Sequence, residues 1–304
     1  MRVLIIGGSG FLGGELVRVC AAAGHQVAAT YLTHPGPSPA GPGAPEGHPA
    51  AEPIQRGERR PGGNPHGSEV TWLPLDVRSR DDVTALLGSH RPDVTINTAY
   101  RQNDWAITAD GGAHVAVAVA GAGGRLVHVS SDAVFSGADV RYDETCPPDP
   151  ISPYGAAKAA AETAVRAVLP GAAIVRTSLI VGHGRSGHEA MVRSLATGRG
   201  AGVLFTDDVR CPVHVDDLAE ALLEIAIGEH PGVHHVAGAD AVSRHELGVL
   251  IARRDGLDEA RLPTGRRADL GVPGPLDVRL DCTATRRRLR TRLRGAREFL
   301  TRPG

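Results

Sequence analysis

Val3-Leu4-Ile5-Ile6-Gly7-Gly8-Ser9-Gly10-Phe11-Leu12-Gly13-Gly14-Glu15-Leu16-Val17-Arg18-Val19 is the stretch that decides the fold. Four consecutive apolar residues read as a buried strand, and the run from Glu15 to Val19 has helical periodicity. A glycine-rich turn between strand and helix is the dinucleotide-binding arrangement. Glycine is needed there so that the chain can turn tightly and a pyrophosphate can approach the backbone. It also lets the helix pack on the strand with its N-terminal N–H groups facing the anion. Gly7, Gly10, Phe11, Leu12 and Gly13 are therefore candidate cofactor contacts.

Outward from this turn, strand-like segments at 27–30, 71–75, 94–97, 126–130 and 173–176 alternate with helical ones such as 81–88 and 114–122. Alternation of this kind predicts an α/β fold with a doubly wound parallel sheet of Rossmann type. The expected division is a dinucleotide-binding domain over 1–181 and a small, mainly substrate-binding lobe over 182–304, partly interleaved with the first. One segment breaks the pattern. Residues 34–68 contain 9 Pro and 8 Gly and almost nothing able to form a core, which predicts a disordered surface excursion between the second and third strands.

Tyr154-Gly-Ala-Ala-Lys158 places a phenol and an ammonium four residues apart, on one helix face. A neighbouring positive charge favours phenolate, so Lys158 is expected to lower the Tyr154 pKa toward the working pH. Ser131 closes the β-like run Val127-His128-Val129-Ser130-Ser131, at the sheet edge where an open α/β fold presents its strand ends.

With these blocks in view the chain resembles the extended short-chain dehydrogenase/reductases, and within them the dTDP-4-dehydrorhamnose reductase group. The resemblance is carried by residues 7–14 (GGSGFLGG), 75–77 (LDV), 95–99 (TINTA), 129–137 (VSSDAVFSG), 142–144 (YDE), 153–162 (PYGAAKAAAE), 175–178 (VRTS) and 210–219 (RCPVHVDDLA). It implies Ser131 as the hydroxyl polarising a substrate carbonyl, Tyr154 as proton donor, and Lys158 as the group that tunes Tyr154 and holds the nicotinamide ribose. It further implies cofactor contacts at Tyr31, Asp76, Val77, Asn97 and Ala99, and substrate contacts at Asp132, Val134 and Arg210. The implied substrate is a nucleotide-activated 4-keto-6-deoxysugar. An epimerase of the same superfamily, a non-catalytic NADP-binding subunit and a reductase of a non-sugar carbonyl stay open at this point. So does a homodimer.

The second strand ends in Thr30-Tyr31-Leu32-Thr33-His34, with no acid to bind a ribose 2′-hydroxyl or repel a 2′-phosphate. NADPH is the expected cofactor, and NADH is left open. The chain departs from the family at Ile107-Thr108, where a backbone-bridging asparagine is usual. In the 210–219 block the Arg210 guanidinium suits a diphosphate, against the alternative of a structural pair with Asp216 or Asp217. Arg176 and Arg185 are lesser candidates.

A net charge of −1 over 304 residues gives no reason to expect nucleic acid or a membrane as partner. Cys20, Cys146, Cys211 and Cys282 show no metal-ligand spacing, so no metal is expected, and thiols in a reducing cytoplasm are. Among the 14 histidines, His234-His235 read as a strand with one ring on each face. The run Arg286 to Arg294, with Leu289, Leu293, Phe299 and Leu300, predicts an amphipathic final helix with its arginines in solvent.

Overall fold

The computed structural model describes residues 1–36, 70–271 and 274–301. The predicted excursion lies outside the described residues from position 37 onward, and so do Arg56, Arg59 and Arg60. Seven strands form one sheet: β1 (Arg2–Ile6), β2 (Gln26–Tyr31), β3 (Thr71–Pro74), β4 (Val94–Asn97), β5 (Arg125–Ser131), β6 (Ala173–Thr177) and β7 (Gly232–Val236). Their order is β7-β6-β5-β4-β1-β2-β3, and every neighbouring pair is parallel. The chain starts in the middle, builds outward to β3, then crosses over to β4. A crevice therefore opens between β1 and β4 at the carboxyl ends of the strands.

Because β1 is covered on both sides, its apolar run splits by parity. Val3 and Ile5 join one core with α1 (Phe11–Ala22) and α6 (Val215–Gly228), while Leu4 and Ile6 join another with α2 (Arg80–His90) and α3 (Gly111–Ala122). Leu4, Ile5 and Ile6 are fully buried, each stabilising by about 1.5–3 kcal/mol relative to exposure. A third core gathers α5 (Gly187–Ala196), α7 (Arg244–Asp255) and the last turns of the chain. Helix α4 (Pro153–Val168) begins on Pro153, with Ser152 accepting a hydrogen bond from the Gly155 N–H at 3.1 Å. That start places Tyr154 and Lys158 in its first two turns.

The fold differs from expectation at the C-terminus. Helix occurs only at Thr283–Arg286 and Ala296–Phe299, so no continuous final helix exists. Its leucines are spaced for one, yet carboxylates on α6 capture the backbone instead. Glu224 accepts from the N–H of Arg290 at 2.6 Å and of Thr291 at 3.0 Å, and Asp217 accepts from the N–H of Arg294 at 2.9 Å. Arg286, Arg287, Arg288, Arg290 and Arg292 do face solvent. His234 and His235 lie in β7 as expected, both fully buried. No described helix is long and apolar enough to cross a membrane.

Candidate active site

A cleft of about 860 Å³ runs along the carboxyl edge of the sheet. The glycine turn and the N-terminus of α1 form one end, and Ser131, Tyr154 and Lys158 line the middle. Asp132, Ser178, Asp208, Arg210, Arg244 and Arg267 line the far end.

At the turn, Gly7 adopts φ +83° and its N–H donates to the Thr30 hydroxyl at 3.0 Å. A Cβ on Gly13 would stand 2.1 Å from the Gly7 carbonyl oxygen, and one on Gly7 would stand 2.9 Å from the Ala99 nitrogen. Helix, turn and the loop after β4 thus meet backbone to backbone, which only glycine permits. No side chain caps α1 at Gly10, whereas serines cap α2, α4, α5 and α7. An uncapped helix N-terminus at the floor of a cleft fits the pyrophosphate of a dinucleotide.

Lys158 is fully buried, and its ammonium donates to the Val129 carbonyl at 3.0 Å. Burial pulls its pKa down to about 8. Tyr154 departs from expectation, because burial pushes its pKa up and the nearby Tyr100 and Asp132 add to the rise, against hydrogen bonding with Ser131. The reason is local. Lys158 lies over the Tyr100 ring, with its nitrogen 5.1 Å from the ring centre, so desolvation of the phenol outweighs the attraction expected from helical spacing. A raised pKa keeps Tyr154 protonated, which is the form a proton donor needs.

The remaining candidates separate clearly. Gly10, Phe11, Leu12, Asp132 and Arg210 line the cleft with the residues above; Tyr31, Asp76, Val77, Asn97, Ala99 and Val134 do not. Asp76 is held by Arg78 at 2.6 Å, and the Val77 carbonyl is met by His114 Nδ1 at 2.9 Å. Asn97 is buried, with its amide nitrogen 3.3 Å from His128 Nδ1 and its oxygen accepting from the Ala99 N–H at 3.1 Å. It shapes the loop rather than facing the cleft. Val134 is wholly within the core.

Arg210 pairs with neither Asp216 nor Asp217. It lies 2.9 Å from Asp208 and 3.8 Å from Asp132, and donates to the carbonyls of Val209, Leu276 and Pro275. Asp132 in turn accepts from the Ser178 hydroxyl at 2.6 Å, and burial raises its pKa. Arg176 is no substrate contact, because it is buried on Glu162 at 2.8 Å, and Glu162 also accepts from Ser130 at 2.6 Å. The sequence reading passed over Tyr100, Asp208, Arg244 and Arg267. Asp208 sits two residues before Arg210 and was within reach of that motif; Arg244 and Arg267 come from segments with no signal of their own.

Thr108, where the resemblance leads one to expect a backbone-bridging asparagine, bridges the backbone of Arg101. Its hydroxyl accepts from the Arg101 N–H at 3.0 Å and donates to the Arg101 carbonyl at 2.8 Å. Away from the cleft, His183, His214 and Asp216 bring one ligand-type atom each within 4.8 Å of one another, a grouping that their sequence spacing does not disclose.

The family model described as RmlD substrate binding domain matches residues 1–302. The chain belongs to this family. Among its relatives, dTDP-4-dehydrorhamnose reductase of Mycobacterium tuberculosis is 37% identical over 201 residues, 60% of this chain and 66% of that protein. A probable dTDP-4,6-dihydroxy-2-methyloxan-3-one 4-ketoreductase of Streptomyces antibioticus is 32% identical over 291 residues, 90% of this chain and 84% of that protein. The structure of a Bacillus anthracis dTDP-4-dehydrorhamnose reductase in complex with NADP matches with a TM-score of 0.76 at 21% identity. That match covers 98% of this chain and 96% of that one. A Streptomyces venezuelae dTDP-glucose 4,6-dehydratase matches with a TM-score of 0.77 at 22% identity, covering 99% and 96%. RmlD-type reductases and a dehydratase thus share this architecture, and the choice of chemistry rests on the site.

Proposed function

We propose that this RmlD-family protein is an NAD(P)H-dependent reductase of a nucleotide-activated 4-keto-6-deoxysugar, with NADPH the expected cofactor. The observation that carries the reading is the convergence of Ser131, Tyr154 and Lys158 in one cleft beside an uncapped, glycine-built helix terminus. The reductase names of the relatives point the same way.

A bound reduced nicotinamide supplies the hydride that makes an alcohol of a keto group. Gly7, Gly10, Phe11, Leu12 and Gly13 would hold its pyrophosphate. The remaining work belongs to the side chains. Charge develops on the carbonyl oxygen during reduction, and the Ser131 hydroxyl donates to it. Tyr154 gives that oxygen its proton, and Lys158, one helical turn on, supplies positive charge as the phenol becomes phenolate. Asp132 and Arg210, supported by Ser178 and Asp208, face the sugar nucleotide from the far end, with Arg244 and Arg267 adding positive charge for its phosphates. A cytoplasmic setting is part of this reading, in keeping with four unpaired thiols. So is a homodimer, which sedimentation checks.

The test follows absorbance at the nicotinamide band while purified protein, NADPH and a dTDP-4-keto-6-deoxyhexose are mixed. Oxidation that disappears in Tyr154→Phe is expected. Tight NADPH binding without oxidation would remove the reductase reading and leave a cofactor-binding protein.

A further inference from the structure

Lys158 is the one lysine among the chain's 33 Lys and Arg residues. The residue is 3% exposed, and its ammonium meets a carbonyl oxygen at 3.0 Å and lies 5.1 Å from the centre of the Tyr100 ring. The Tyr100 ring stands 6.0 Å from that of Tyr154, tilted by 50°. Tyr100 is 56% exposed, so burial of its own surface does not explain where it sits.

The backbone on either side explains it. Asn97 accepts from the Ala99 N–H at 3.1 Å, and the Thr98 hydroxyl donates to the Ile6 carbonyl at 2.9 Å. Just beyond, the Thr108 hydroxyl spans the N–H and carbonyl of Arg101 at 3.0 Å and 2.8 Å. A π-helical turn, Ala106–Asp110, carries Thr108 back to that point. Tyr100 is therefore pinned from before and after.

We propose that Tyr100 is a positioning residue whose ring face holds the Lys158 ammonium in place and protonated, and that Thr108 clamps the loop that delivers it. A buried ammonium with one carbonyl acceptor is poorly solvated, and an aromatic face within about 6 Å replaces part of the lost solvation. The groups that act on Lys158 are Glu162 from α4 itself, His128 from β5, and Tyr100 from the loop after β4, with Tyr154 one helical turn before it. Glu162 is the carboxylate among them, but it is occupied by Arg176 and Ser130. Glu162 still favours the charged lysine through its negative charge, and the ring adds to it as the aromatic face over which the ammonium lies. The consequence for turnover rests on the reductase reading, whereas the ring–ammonium contact does not.

A single lysine makes the test direct. Protein labelled with carbon-13 at the lysine ε position gives one such side-chain resonance, whose titration reports Lys158. Tyr100→Leu is expected to move the midpoint down by between about half a pH unit and one and a half. Tyr100→Phe should leave it in place; Thr108→Val should move it the same way as Tyr100→Leu, and Thr108→Ser should not. The alkaline limb of the kcat profile should move with the midpoint. An unmoved midpoint in a cooperatively folded Tyr100→Leu protein overturns the proposal, whatever the activity. A moved midpoint in a protein that never oxidises NADPH sinks the reductase reading and leaves the contact standing.

Discussion

At Tyr154 and Lys158, burial pulls two neighbouring groups in opposite directions, both toward neutrality. The Lys158 pKa of about 8 lies below the ordinary 10.5, so between those values the unfolded chain binds more protons than the folded one. Below pH 8 the full cost of burying the charge is present, up to about 3 kcal/mol, and it fades as pH rises toward 10.5. Lys158→Met should accordingly be more stable than the natural chain at pH 7, with the gap closing by pH 10; denaturant titrations at the two pH values read it directly. The same variant should lose turnover. Tyr154→Phe should lower kcat by about 10²- to 10⁴-fold with little change in melting temperature, because it removes the proton donor of the proposed reaction and leaves the packing. Glu162 is a different kind of residue. It neutralises the buried Arg176, so Glu162→Gln leaves an unpaired buried guanidinium and should cost about 3–5 kcal/mol in urea unfolding.

Helices are seated here by close backbone approaches that a single methyl would break. Gly155 follows Tyr154 in α4, and a Cβ there would meet the Ala133 carbonyl oxygen at 2.0 Å. The 132–134 turn follows directly on Ser131, and the start of α4 carries Tyr154, so Gly155 sets their separation. Gly155→Ala should cost about 1–3 kcal/mol and reduce kcat more than it changes KM for NADPH; unchanged kinetics in a destabilised variant would show that the two residues are set independently. Gly13→Ala acts at the other end of the cleft, forcing α1 away from the Gly7 carbonyl. Here the expected signature is weakened NADPH binding by calorimetry. The helix dictated by propensity and the helix fixed by contacts part company at the C-terminus. Leucine spacing at 289 and 293 reads as helical, yet Glu224 and Asp217 on α6 take the N–H groups that a helix would have used.

Across the whole molecule, that capture ties the end of the chain to α6, which in turn packs on α1 and the sheet beneath the cofactor end. Asp217 accepts from both the backbone and the guanidinium of Arg294. Asp217→Asn should lower the melting temperature and increase proteolysis of the tail without moving the lysine titration, since the two sites share no groups. A parallel sheet was legible in the sequence because strands covered on both faces are mainly apolar, as Val3 to Ile6 and Ala173 to Val175 are, and because such segments alternate with helical ones. The glycine turn was legible because its requirements are local. Ser131, Tyr154 and Lys158 were legible because each sits within a recognisable block, and the fold brings those blocks into one cleft. The sequence by itself determined the sheet, the turn and the residues of the proposed reacting set. Only the tertiary structure decided the directions in which the Tyr154 and Lys158 pKa values move, the burial of Arg176, the pairing of Arg210 with Asp208, and the place of Tyr100. Each of these depends on desolvation or on contacts between segments far apart in the chain, and both arise only when the chain closes on itself.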